Sequence, residues 1–153
     1  MTTVTKSIVI NAPRETLRLY FDDAERVLQR SSNLYHWQPD EAWPNPGATC
    51  QVGFKATGID VDGVATSLEY DPATLDRIYR IDSEGFEPST WRYSFQEHDD
   101  GKTTVTADVQ YTVPGRILGP VLDKMMVERG NAKLLQESLE NLKAQVEGAG
   151  VRP

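Results

Sequence analysis

The chain has 153 residues, 39% of them hydrophobic and 25% charged, which is enough for one domain with its own core and too apolar for a disordered segment. Its 23 Asp and Glu outnumber 16 Lys and Arg, for a net charge of −7. That surface repels phosphate backbones and anionic membranes, so nucleic-acid binding is disfavoured. No apolar run approaches the ~18 residues of a membrane helix. Met1–Lys6 carries no basic-then-apolar leader pattern, so a cytoplasmic location is the default reading. A lone cysteine, Cys50, cannot form an internal disulfide, and with only His36 and His98 beside it no Cys/His zinc site assembles. No EF-hand pattern occurs, and no metal or cofactor is expected.

Ser7–Asn11 is a short β-branched strand, ended by Asn11-Ala12-Pro13. Arg14–Phe21 carries Leu17, Tyr20 and Phe21 at helical spacing, with Pro13 suited to the first turn. Asp22-Asp23 breaks that helix and caps another, Ala24–Arg30, with Val27 and Leu28 inward. From Leu34 to Val113 the period becomes two. Cys50/Val52/Phe54/Ala56, Val64/Thr66/Leu68/Tyr70, Trp91/Tyr93/Phe95 and Val105/Ala107/Val109/Tyr111/Val113 each read as an inward face alternating with polar neighbours. Ile78–Ser83 is ambiguous in phase. Either Ile78, Arg80 and Asp82 face inward, or Tyr79, Ile81 and Ser83 do; the second places two apolar residues on the dry side and is preferred. Asn45-Pro46-Gly47, Asp71-Pro72, Glu84-Gly85 and Asp99-Asp100-Gly101 supply turns. Such short connections predict antiparallel meander pairing.

Pro114-Gly115 stops the last strand, and one helix is predicted from about Pro120 to Glu147, roughly 40 Å long at 1.5 Å per residue. Its seam reads Leu118, Leu122, Met125, Ala132, Leu135, Leu139, Leu142, Val146. Gly148 and Gly150 are expected to end it, leaving residues 148–153 as a frayed tail after a single domain over 1–147. The order is one strand, two small helices, about six strands and one long helix. This predicts an α+β domain in which a curved antiparallel sheet wraps around the C-terminal helix. One helix cannot cover the whole dry face, so a cavity between sheet and helix is expected.

Five stretches in this order, Ser7–Pro13, Phe21–Arg26, Leu68–Pro72, Thr90–Gln96 and Glu137–Lys143, resemble the helix-grip (SRPBCC) superfamily of START, Bet v 1 and polyketide cyclase/dehydrase-like domains. The bacterial polyketide cyclase/dehydrase branch is the nearest in character, and the resemblance covers nearly the whole chain. It implies a pocket for a hydrophobic ligand between sheet and long helix. It does not choose among carriers, cyclases and interaction modules, because fold alone never does.

The residues expected at a ligand are Phe54, Val64, Leu68, Tyr70, Trp91, Tyr93, Val109 and Tyr111 from the sheet, and Leu122, Met125, Met126 and Arg129 from the helix. Arg129 interrupts the apolar seam. It points into the cavity to hold an anionic oxygen, or its stem packs on the sheet and its head pairs or reaches water. Tyr70, Tyr93 and Tyr111 each offer a phenol to a ligand or fill the core. His36 is the one histidine near the expected mouth, as acid/base or as a strand-edge residue. Trp37 and Trp43 fall at the mouth by position. Asp22, Asp23, Asp40 and Glu41 read as solvated charges, and Cys50 as a small core hydrophobe. No nucleophile signature appears, and no catalytic residue is assigned. Three functions follow: binding or carrying a lipid, polyketide or aromatic metabolite; an aromatase/cyclase-like enzyme; or a protein-interaction module with a filled interior. The pattern leaves the oligomeric state open.

Overall fold

A computed structural model describes residues 1–56, 58–113 and 124–151. Strand β1 (Thr2–Ile10) leads into helices α1 (Arg14–Phe21) and α2 (Ala24–Arg30). Six strands follow: β2 (Leu34–Pro39), β3 (Thr49–Ala56), β4 (Ile59–Tyr70), β5 (Arg77–Ser83), β6 (Phe86–Glu97) and β7 (Thr103–Tyr111). Helix α3 (Lys124–Val151) closes the described chain. The sheet is antiparallel throughout, in the order β1-β7-β6-β5-β4-β3-β2. Strands β2 to β7 form the meander that their short turns dictate. At Glu84-Gly85, Gly85 takes φ 87, which a glycine supplies without steric cost.

The concave face carries the core. Cys50, Val52, Tyr93, Phe95, Val105, Ala107 and Val109 are buried, and α3 meets them with Leu135, Leu139, Leu142 and Val146. Each fully buried aliphatic side chain contributes about 1.5–3 kcal/mol in transfer from water. The convex face is largely polar, with Val9, Val64 and Leu68 exposed among its polar side chains. Ser7 and Thr106 hydroxyls lie 2.9 Å apart across β1 and β7. Side chains also tie α3 to α2. The Asn141 amide donates to the Arg30 carbonyl at 3.1 Å, and Gln145 donates to that of Arg26 at 3.0 Å. No helix among the described residues is long and apolar enough to cross a membrane.

Three expectations change. On β4 the predicted phase is reversed: Val61, Ala65 and Ser67 are buried, whereas Val64 and Leu68 face solvent. The concave side has no room for larger groups there. A Cβ on Gly63 would lie 2.8 Å from the Asp82 carbonyl. The Ser67 hydroxyl donates to the Pro44 carbonyl at 2.6 Å, which closes the space above the strand. A bulge between Ser67 and Glu69 then shifts the register. The long helix also continues past Gly148 to Val151. The third change concerns its seam. Leu118 and Leu122 lie outside the described residues, as does the start near Pro120. Within them, six residues back from Leu135 is a turn of about 240° around an α-helix. Arg129 therefore leaves the Leu135 stripe and is exposed. Met125, ten residues back, is exposed as well.

Candidate functional site

A cavity of about 460 Å³ lies between the sheet, α2 and the N-terminal part of α3. Its volume falls within the roughly 300–1,000 Å³ typical of small-molecule sites. The sheet contributes Phe54, Tyr79, Ile81, Trp91, Tyr93, Val109 and Tyr111. Helix α3 contributes Met126, Val127, Gly130, Asn131, Leu134 and Leu135. Helix α2 adds Val27 and Arg30, and the 40–48 loop adds Trp43.

Six of the expected residues, Phe54, Trp91, Tyr93, Val109, Tyr111 and Met126, thus meet around one space. Val64, Leu68, Tyr70, Met125 and Arg129 do not line it. Val64 and Leu68 follow the reversed phase of β4. Met125 and Arg129 follow the helix rotation. Tyr70, beyond the bulge, lines a separate surface groove of about 480 Å³ with Leu68 and Asp71. Leu122 lies outside the described residues. His36 is exposed on the edge strand β2, and His98 pairs with the Thr104 hydroxyl at 2.7 Å on the surface. Neither lines the cavity. Burial pushes the Cys50 thiol up to about 12, so it behaves as the small hydrophobe its position implied.

One wall is aromatic. Tyr79 stacks on Trp91 with centroids 6.0 Å apart and on Tyr93 at 6.3 Å. Trp43 meets Tyr79 edge-on at 5.6 Å, and Trp37 meets Trp43 at 5.9 Å. These rings bury large flat faces while keeping a few polar tips. The tips are confined. The Trp37 Nε1 and the Tyr111 hydroxyl are buried with no hydrogen-bond partner among the described residues.

The inner end is charged, and this the sequence reading missed. Arg77 opens β5 with its side chain 2% exposed. Its Nε donates to the Leu75 carbonyl at 3.1 Å, and its Nη1 donates to the Asp22 carboxylate. Asp22, read from sequence as solvated, is therefore the counter-ion of a buried guanidinium. Leu75, whose carbonyl accepts from Arg77, has φ 71, a left-handed conformation uncommon outside glycine. Arg30, at the end of α2, is also buried; it donates to the carbonyls of Tyr20 at 3.3 Å and Phe21 at 2.6 Å. The Phe21 ring contacts both guanidinium groups, 4.5 Å from that of Arg30 and 4.7 Å from that of Arg77.

Burial lowers the Arg30 pKa from its ordinary value. Burial also raises Tyr93, and raises Tyr79 well above the usual tyrosine range. A signal for both arginines existed. Arg77 shares the parity of Tyr79 and Ile81, and Arg30 lies three residues after the buried Val27, on the same helix face.

The match to known proteins agrees with this geometry. Residues 1–147 match the family model described as polyketide cyclase/dehydrase and lipid transport. The chain belongs to that family. No curated protein matches it. Among solved structures, a protein of Thermus thermophilus is 18% identical with a TM-score of 0.79, the match covering 97% of this chain and 99% of that one. A START superfamily protein from Mycobacterium smegmatis is 16% identical with a TM-score of 0.71, covering 96% and 98%. The protein Ara h 8.0201 is 16% identical with a TM-score of 0.70, also covering 96% and 98%. At such identities the likeness establishes the helix-grip fold of this family member, shared with START and Bet v 1-like proteins.

Proposed function

We propose that this protein binds or carries a small hydrophobic molecule, of lipid, polyketide or aromatic character, in the cavity between sheet and α3. The observation that carries the proposal is the open 460 Å³ space walled by Trp37, Trp43, Tyr79, Trp91 and α3 side chains. Apolar surface removed from water there contributes roughly 25 cal/mol per Å² of ligand. The family description, which names lipid transport beside cyclase and dehydrase members, supports the same reading. Catalysis as a cyclase is the weaker alternative. A general acid works best with a pKa near the operating pH, and burial raises both Tyr79 and Tyr93 away from it. An interaction module with a filled interior is not supported by an interior this open.

Nile red, a neutral apolar dye whose emission rises on leaving water, tests the reading. A Cβ on Gly130 meets nothing within 4 Å, and Gly130 lines the cavity, so Gly130→Trp should place an indole in the space. Wild type should bind the dye and Gly130→Trp should lose at least tenfold in affinity. Equal binding by the two folded proteins, or none by either, refutes the cavity as the site.

A further inference from the structure

Two guanidinium groups and one carboxylate meet at the inner end of the cavity. Arg30 is satisfied by the neutral carbonyls of Tyr20 and Phe21. Arg77 commits Nε to the Leu75 carbonyl and Nη1 to Asp22. Its Nη2 is buried and has no partner among the described residues. The local charge is therefore one positive in excess, set against the rings of Phe21, Tyr70 and Phe95. An uncompensated buried charge is strongly unfavourable unless something pairs with it. Arg77 also lines the cavity, so it borders the space that a bound molecule fills. The planar fork of a guanidinium suits the oxygens of a carboxylate. A single excess charge suits a monoanion better than a phosphate dianion.

We propose that the molecule held in this cavity is an apolar carboxylic acid. Its carboxylate accepts from the free edge of Arg77, and its apolar body lies along the Tyr79, Trp91 and Trp43 rings. This deepens the binding proposal above and rests on it. Arg77 acts as the residue that selects acids over neutral molecules of the same shape. Asp22 limits the site to one negative charge.

Competition against Nile red on the full chain at pH 7.5 tests the assignment, with 2-naphthoic acid and its primary amide as a charged and a neutral probe of one shape. The acid should displace the dye at a concentration at least tenfold lower than the amide. In Arg77→Gln the two should displace within twofold of each other. If that variant does not fold, Asp22→Asn decides, since removing the competing carboxylate should widen the preference for the acid several-fold. Equal displacement by acid and amide in wild type overturns the carboxylate assignment while leaving the cavity standing. An acid preference that survives in folded Arg77→Gln, or narrows in Asp22→Asn, removes Arg77 from the role. Failure of Nile red to bind wild type at all belongs instead to the cavity reading itself, and overturns the acid assignment with it.

Discussion

Asp22→Ala tests the physical basis of the charged inner end through stability. The Arg77 side chain is 2% exposed and that of Asp22 is 28% exposed, so the two partners do not lose equally when separated. Removing one member of a buried ion pair costs about 3–5 kcal/mol. Asp22→Ala strands the more deeply buried guanidinium, and the partial exposure of the carboxylate it loses puts the expected cost near the lower end, about 3 kcal/mol. For a domain of this size that is a fall in Tm of roughly 6–12 °C. Arg77→Met strands a carboxylate that water already reaches, and fills the space with an apolar stem, so its cost should be smaller, about 1–2 kcal/mol. In Asp22→Ala/Arg77→Met neither charge remains, and the double variant should be no less stable than Asp22→Ala. Urea unfolding of the four proteins closes a double-mutant cycle with a coupling energy of about 2 kcal/mol. Additivity within about 0.5 kcal/mol would mean that Arg77 does not depend on Asp22, and the charge argument would fail with it.

Leu142 is fully buried on the sheet-facing side of α3, and Leu142→Ala should cost about 3–5 kcal/mol by chemical denaturation, because the rigid sheet leaves a cavity behind. Gly130 sits inside a helix with open space at its Cβ. Gly130→Ala should therefore raise stability by about 1 kcal/mol in the same assay, while its single methyl leaves Nile red affinity within a few-fold of wild type. The Cys50 thiol, raised to about 12 by burial, gives a pH dependence of known sign. Its folded pKa lies above its unfolded value of about 8.5, so its contribution is intact below that pH and is lost as pH rises toward 12. Tyr79 and Tyr93 are raised too and add alkaline loss of the same sign. The comparison of wild type with Cys50→Ala therefore isolates the thiol: between pH 8 and pH 11 the wild type should lose more stability than the variant.

Much of the fold was written in local pattern. Alternation in Cys50–Ala56, Trp91–Phe95 and Val105–Tyr111 set which faces are dry, because a strand turns each side chain through half a circle. The turns at Glu84-Gly85 and Asp99-Asp100-Gly101 demanded antiparallel neighbours. Leu135, Leu139, Leu142 and Val146 marked the buried stripe of α3. These are short-range properties of the chain, and so was the Tyr79/Ile81 phase of β5, which carries Arg80 and Asp82 to the surface as a pair at 2.9 Å.

What tertiary structure alone decided depended on room and on partners. On β4 the concave curve admits Ala65 and Ser67 and turns Val64 and Leu68 outward, against their hydrophobicity, because Gly63 already sits against the neighbouring strand. Toward the start of α3, a few tens of degrees of rotation per turn separate a lining residue from a solvated one. That rotation exchanged Arg129 for Asn131 at the cavity. The two arginines that do sit at its inner end are tolerated in the interior because Asp22, fifty-five residues from Arg77 in the chain, and the carbonyls of Tyr20, Phe21 and Leu75 come to meet them. Burial of a charge is a property of its surroundings in space, and no local pattern in the sequence records who those partners will be.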